Sequence, residues 1–139
     1  MLDGLENIIS QLVFAIPAVK GIEFGNGFDC TEFFGSENND EFCIVDNKIV
    51  TRTNNHGGIL GGISSGMPII FRVAFKPTPS ISRPQNTVDF KENRETELVI
   101  KGRHDPCVVV RAVPCVEAAL NIAVVSAMNG QGLGGMQNG

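Results

Sequence analysis

The run Asn54-Asn55-His56-Gly57-Gly58-Ile59-Leu60-Gly61-Gly62-Ile63-Ser64-Ser65-Gly66 carries two Gly-Gly pairs and a third small turn, so main-chain groups dominate its chemistry. Glycine admits positive φ and lets the backbone approach a flat ring or a phosphate closely. The spacing is neither the Gly-x-Gly-x-x-Gly of a dinucleotide turn nor a P-loop, which would end in Gly-Lys-Ser/Thr. Ile59, Leu60 and Ile63 argue against a loose solvent loop. A second cluster, Lys76-Pro77-Thr78-Pro79-Ser80-Ile81-Ser82, offers one cation, hydroxyls and backbone N–H groups to an anion, or is simply a proline-rich turn. A third, Lys101-Gly102-Arg103-His104-Asp105-Pro106-Cys107 with Arg111 beyond it, could hold an anion and supply a proton acceptor. Its structural alternative is an Arg-Asp pair at the entry to a helix.

These clusters sit in a chain of 139 residues, a length for one domain with a modest core. Apolar residues form 42% and charged residues 19%, which excludes a disordered polyelectrolyte. The net charge of −4 disfavours a nucleic-acid-coating protein. Charge is unevenly placed: residues 1–71 carry a net −6, residues 72–111 a net +3. A basic middle in an acidic chain suits a bound anion, and a solvated face of mixed charge is the alternative. No apolar run is expected to approach the ~18–20 residues that cross a bilayer. The acidic opening Met1-Leu2-Asp3-Gly4-Leu5-Glu6 lacks the positive start of a signal peptide. Cys30, Cys43, Cys107 and Cys115 match no zinc spacing and are expected as reduced, mostly buried thiols.

The elements that must position the clusters follow from periodicity. Leu5, Ile8, Ile9, Leu12, Val13 and Ile16 have helical spacing, with Asp3 as the expected N-cap and Pro17 as the stop. A short strand is expected over 18–24, a turn at 25–27, a helical turn at 29–34 and a polar loop at 35–40. Residues 42–45 and 49–52 read as a hairpin across Asp46-Asn47, and 67–75 as a long strand. A second hairpin is expected from 88–90 and 95–100. Residues 111–128 read as a mostly buried helix with Pro114 tolerated in its first turn, and 129–139 as a disordered tail. Strands grouped between terminal helices, without a βαβ repeat, predict an α+β fold with an antiparallel sheet packed on helices, in one domain over residues 1–128.

Together the three clusters closely resemble the C-terminal signatures of the chorismate synthase family. Arg111-Ala112-Val113-Pro114, the block Ile16-Pro17-Ala18-Val19-Lys20-Gly21-Ile22-Glu23-Phe24-Gly25, and Gly35-Ser36-Glu37 match in the same order and at matching spacing. The resemblance implies conversion of 5-enolpyruvylshikimate 3-phosphate to chorismate and phosphate by a lyase that needs reduced FMN without net redox change. It implies FMN contacts at Pro17, Ala18, Gly61, Lys76, Pro77, Thr78, Pro79, Ser80 and Arg103, and a proton-handling role near flavin N5 for Asp105. Many relatives have Ser where this chain has Pro79. The resemblance further implies a β-α-β sandwich, a homotetramer in the cytoplasm, and NADPH-linked flavin reduction in some members; no metal, nucleic acid or membrane enters. The family's Gly-Glu-Ser-His-Gly-type histidine, its second catalytic histidine and its substrate-holding arginines have no counterpart block here. The expectation is therefore a C-terminal portion, inactive alone; a stand-alone flavin- or phosphate-binding or interaction module is the alternative.

Overall fold

The computed structural model describes residues 3–103 and 107–130. Helix α1, Leu5–Phe14, buries Ile8, Ile9 and Val13. Its N-cap is Gly4, without a side-chain cap bond, so Asp3 does not cap it as expected. The first free N–H is taken instead by tertiary structure: Leu5 N donates to Gly62 O at 2.8 Å. At the other end Ala15 N donates to Gln11 O, and the chain leaves through Ile16-Pro17, where proline cannot extend the ladder.

Strand β1, Val19–Phe24, pairs antiparallel with a strand some fifty residues further on, Phe71–Phe75. Between them lie a 3-10 helix, Gly27–Glu32; a one-turn helix α2, Gly35–Asn38; and two hairpins, β2 (Phe42–Val45) with β3 (Lys48–Thr51) and β4 (Ile59–Leu60) with β5 (Ile63–Ser64). The Phe71–Phe75 strand is thus β6; β7 (Gln85–Asp89) and β8 (Arg94–Leu98) form a fourth pair, and α3 spans Val109–Met128. All four pairs are antiparallel and two-stranded. This is the expected α+β class, with the sheet delivered as separate ribbons.

Turn chemistry explains the hairpins. Asp46 and Asn47 both take positive φ, +49° and +60°, as a tight two-residue turn between right-twisted strands requires. Gly61 and Gly62 do the same between β4 and β5, at +60° and +84°. Asp89 accepts from Lys91 N and Glu92 N at 2.9 and 3.1 Å and starts the β7–β8 turn.

The core lies between α1, α3 and the β1–β6 ribbon. Ile8, Ile9, Val13, Val19, Ile59, Ala119 and Ala123 are buried together, with Ile22, Phe24, Phe71, Val73 and Phe75 packed against them. Phe24 and Phe71 face each other in register, ring centroids 5.8 Å apart. Ile9 is fully enclosed. Ile9→Ala is expected to cost about 2–5 kcal/mol, from lost burial and the cavity left behind, read as a lower urea midpoint with unchanged slope.

Several expectations need correction. α3 starts at Val109, two residues early, so Pro114 sits in the second turn, where it removes the N–H that would reach the Val110 carbonyl. The helix is not mostly buried: only Ala112, Ala119 and Ala123 are, because the small side chains face α1 while Val110, Val113, Ile122, Val125 and Met128 face outward. At 20 residues it is long and apolar enough to cross a bilayer, contrary to the expected absence of such a run, although Ala119 and Ala123 are buried in the core with α1. The cysteines are not mostly buried: Cys30, Cys107 and Cys115 are exposed and Cys43 is half-buried. The stretch 67–75 is strand only from Phe71 onward. Residues 35–38 of the expected loop are the helical turn α2, whose Glu37 carboxylate accepts from Phe34 N at 2.9 Å. Of the expected tail, residues 131–139 lie outside the described residues.

Candidate functional site

The described positions marked by the resemblance fall at three places. Pro17 and Ala18 form the corner between α1 and β1. Ala18 holds φ at +70°, a left-handed conformation that costs a non-glycine residue about 1–2 kcal/mol. Antiparallel pairing brings the end of β6 to this corner: Val19 opposes Phe75, and Lys76 N donates to Ala18 O at 2.7 Å. The register shifts at Lys20, a bulge that turns the β1 end against its partner. Lys76, Pro77, Thr78, Pro79 and Ser80 therefore leave the ribbon beside Pro17-Ala18, with Lys76 exposed and Thr78 and Ser80 half-buried. Gln85 Nε2 donates to Pro79 O at 3.1 Å and holds the segment back toward β7.

Gly61 lies elsewhere. It is the exposed first residue of the β4–β5 turn, and a Cβ added to it would meet nothing within 4 Å. Its neighbour Gly62 accepts from Leu5 N, at the beginning of α1, while Ala18 follows the end of that helix. Ten helical residues rise about 15 Å, so the structure puts Gly61 and the Ala18–Lys76 corner at opposite ends of α1. Beside the β4–β5 hairpin an open groove of about 510 Å³ runs between Leu5, Ile8, Ile63 and Ile69 on one side and Val124 and Met128 on the other. Arg103 is exposed in the connection between β8 and α3, after Gly102 at φ +143°. Asp105 and His104 lie outside the described residues.

The structure also reveals a polar cluster that sequence reasoning did not assemble. The Asp40 side chain is 6% exposed and accepts four hydrogen bonds. Oδ1 takes Thr53 Oγ1 at 2.5 Å and Asn55 N at 2.8 Å; Oδ2 takes His56 N at 3.0 Å and His56 Nδ1. The imidazole is 16% exposed, and its Nε2 is buried without a protein partner. Asn26 N donates to Asn55 O, Asn26 Nδ2 to Asn38 Oδ1 and Asn55 Nδ2 to Asn38 O, so α2 and the end of β1 join the same cluster. Glycines let the backbones close on it. A Cβ on Gly25 would stand 2.0 Å from Asn55 O, and one on Gly57 would stand 2.4 Å from Gly25 N. The signal available in the sequence was the juxtaposed Asn-Asn-His, whose partner stands 13–16 residues earlier and has no periodic relation to it.

Antiparallel ribbons on two helices, with a glycine hairpin at one end of α1 and a lysine-hydroxyl segment tied to a strained corner at the other, define an α+β protein. A family model described as chorismate synthase matches residues 1–128. The chain belongs to the chorismate synthase family. It is 56% identical over 118 residues to a chorismate synthase of Pyrococcus abyssi, covering 85% of this chain and 33% of that protein. It is 52% identical over 129 residues to one of Archaeoglobus fulgidus, covering 93% and 36%. A chorismate synthase of Dehalococcoides mccartyi is 57% identical over 116 residues, covering 84% and 32%. A crystal structure of chorismate synthase superposes with a TM-score of 0.52 at 43% identity, over 55% of this chain and 23% of the other. The chain thus spans about a third of the length of the curated relatives it matches.

Proposed function

We propose that this chain is the C-terminal, FMN-side portion of a chorismate synthase, a cytoplasmic lyase that eliminates phosphate from 5-enolpyruvylshikimate 3-phosphate. The observation that supports the reading is that two of the resembling segments, residues 16–25 and 76–80, far apart in sequence, meet at the Ala18–Lys76 corner. The residues fit the phosphate end of FMN. Lys76 supplies a charge, Thr78 and Ser80 supply hydroxyls, and Pro79 withdraws one hydroxyl found in many relatives. The open face of Gly61 suits close approach to a ring. Bound reduced FMN would supply electron density as the substrate's phosphate leaves. Arg103 would hold an anion, and Asp105 would hold or move the proton near flavin N5. NADPH would enter only as a source of electrons for the flavin, as in some family members.

Exposed apolar side chains support the reading of a portion completed by other chain. Among the described residues, Ile44 (75%), Ile49 (74%) and Met128 (81%) are apolar side chains left in solvent. The remaining family sequence and the other copies of a homotetramer are the proposed cover for these faces.

FMN binding tests the site directly. Lys76→Ala and Arg103→Ala are each expected to weaken the affinity of the chain for FMN about tenfold, the scale of one charge-assisted hydrogen bond. Calorimetric or fluorescence titration measures it. Equal binding by the parent chain and both variants would remove these contacts.

A further inference from the structure

The Asp40 cluster takes no part in the proposed contacts, yet its carboxylate is the most heavily hydrogen-bonded side chain among the described residues. Its four donors come from Thr53, Asn55 and His56, immediately before Gly57-Gly58. Those two glycines are the base of the hairpin that carries Gly61. Ser65 N donates to Gly58 O at 2.9 Å and Ile70 N to Gly57 O at 3.0 Å, closing the base, and Gly25 N donates to Ile70 O at 2.9 Å. Asp40 is therefore tied through Asn55 and His56 to the packed Gly57-Gly58 base, three residues before Gly61.

We propose that Asp40 is a positioning residue for Gly61, acting through the Asn55–Gly58 segment and holding His56 as the Nδ1–H tautomer. A buried carboxylate offers only acceptors, so the ring nitrogen facing it must carry a proton, and in the neutral ring Nε2 is then the acceptor. The consequence for FMN rests on the reading given under Proposed function.

Asp40→Asn tests this with little change in shape. It keeps Oδ1 for Thr53 and Asn55 and places an NH₂ where Oδ2 stood, so the His56 backbone N–H loses its acceptor and the ring Nδ1–H faces a donor. The neutral imidazole answers by moving its proton to Nε2. In the ¹⁵N spectrum of the histidine ring, the parent chain should show the Nδ1–H tautomer and Asp40→Asn the Nε2–H tautomer; an Nε2–H tautomer in the parent overturns the proposal. Amide exchange at Ser65 and Ile70, whose N–H groups close the base of the hairpin on Gly58 O and Gly57 O, should quicken about tenfold in Asp40→Asn. It should stay within twofold of the parent in Val13→Ala, a core variant that loses stability without touching the cluster. FMN affinity should fall about tenfold in the first and within twofold in the second. Equal effects in the two variants would reduce Asp40 to a purely structural role and overturn the proposal. If the parent chain binds no FMN while tautomer and exchange behave as stated, the cofactor reading fails and the positioning of Gly61 stands. Should Asp40→Asn not fold, Thr53→Val removes one of the four donors and is held to the same comparison at threefold.

Discussion

Supplied with reduced FMN and 5-enolpyruvylshikimate 3-phosphate without oxygen, the chain alone is expected to form no chorismate above the uncatalysed rate. The family's two general acid/base histidines have no counterpart block in this sequence, and each such group contributes about 10²–10⁴-fold. Losing both leaves a deficit of about 10⁴–10⁸-fold, before the missing substrate arginines are considered. His56 does not substitute for them, because its Nδ1 is committed to Asp40 and its Nε2 is enclosed. The geometry agrees: Gly61 and the Ala18–Lys76 corner stand at opposite ends of α1, so this chain by itself presents two partial surfaces. Chorismate absorbance, followed at high chain concentration, is the measurement. Turnover at an enzymatic rate would mean that the residues present here suffice and would end the reading of an incomplete site.

Gly57→Ala is expected to unfold the chain or to lower its stability by more than about 3 kcal/mol. The residue has φ +68°, which costs alanine about 1–2 kcal/mol. The larger part comes from packing, because the new Cβ would lie 2.4 Å from Gly25 N and 2.6 Å from Ile70 O. These are backbone atoms already bonded to each other, and neither can turn away as a side chain can. Clearing the methyl group means parting the end of β1 from the segment that enters β6. Gly61→Ala is the internal comparison: φ is +60°, but no atom lies within 4 Å, so only the conformational cost of about 1–2 kcal/mol remains. Thermal unfolding by circular dichroism separates the two. Similar losses would show that the close approach at Gly57 relaxes freely. If Gly61→Ala loses FMN affinity out of proportion to its small loss of stability, the two glycine pairs have divided their tasks, one for packing and one for ligand.

Local pattern carried much of this fold. The 3.6-residue spacing of Leu5 through Val13 and the Pro17 stop marked α1, and Asp46-Asn47 marked the β2–β3 turn, because each depends on neighbours a few residues apart. β7 begins earlier than expected, at Gln85, since Gln85-Asn86-Thr87 has no apolar alternation and is set by pairing with Glu97 and Leu98. α3 read as buried because apolar content was taken for burial, whereas only Ala112, Ala119 and Ala123 are buried and Val110, Val113, Ile122, Val125 and Met128 point out. The candidate residues at 17–18, 61, 76–80 and 103 came from family signatures; the separation of 61 from 17–18 and 76–80 by the length of α1 did not, because it depends on β1 crossing to β6. Asp40 was hidden for the same reason: one carboxylate in a polar loop looks solvated until the fold brings three donors' residues around it.

Building the sheet as four two-stranded ribbons leaves each of the eight described strands with one edge whose N–H and C=O groups find no neighbouring strand. Such edges are templates for adding another strand from any nearby chain. The β7–β8 ribbon is guarded by Asp89, Arg94, Glu95 and Glu97, whose charges discourage like copies from docking. The β2–β3 ribbon, Phe-Cys-Ile-Val against Lys-Ile-Val-Thr, has only Lys48 for protection. Misassembly of this chain in concentrated solution should therefore begin there, through backbone hydrogen bonds along an open edge, and charged substitutions at Ile44 or Ile49 are the direct means of suppressing it.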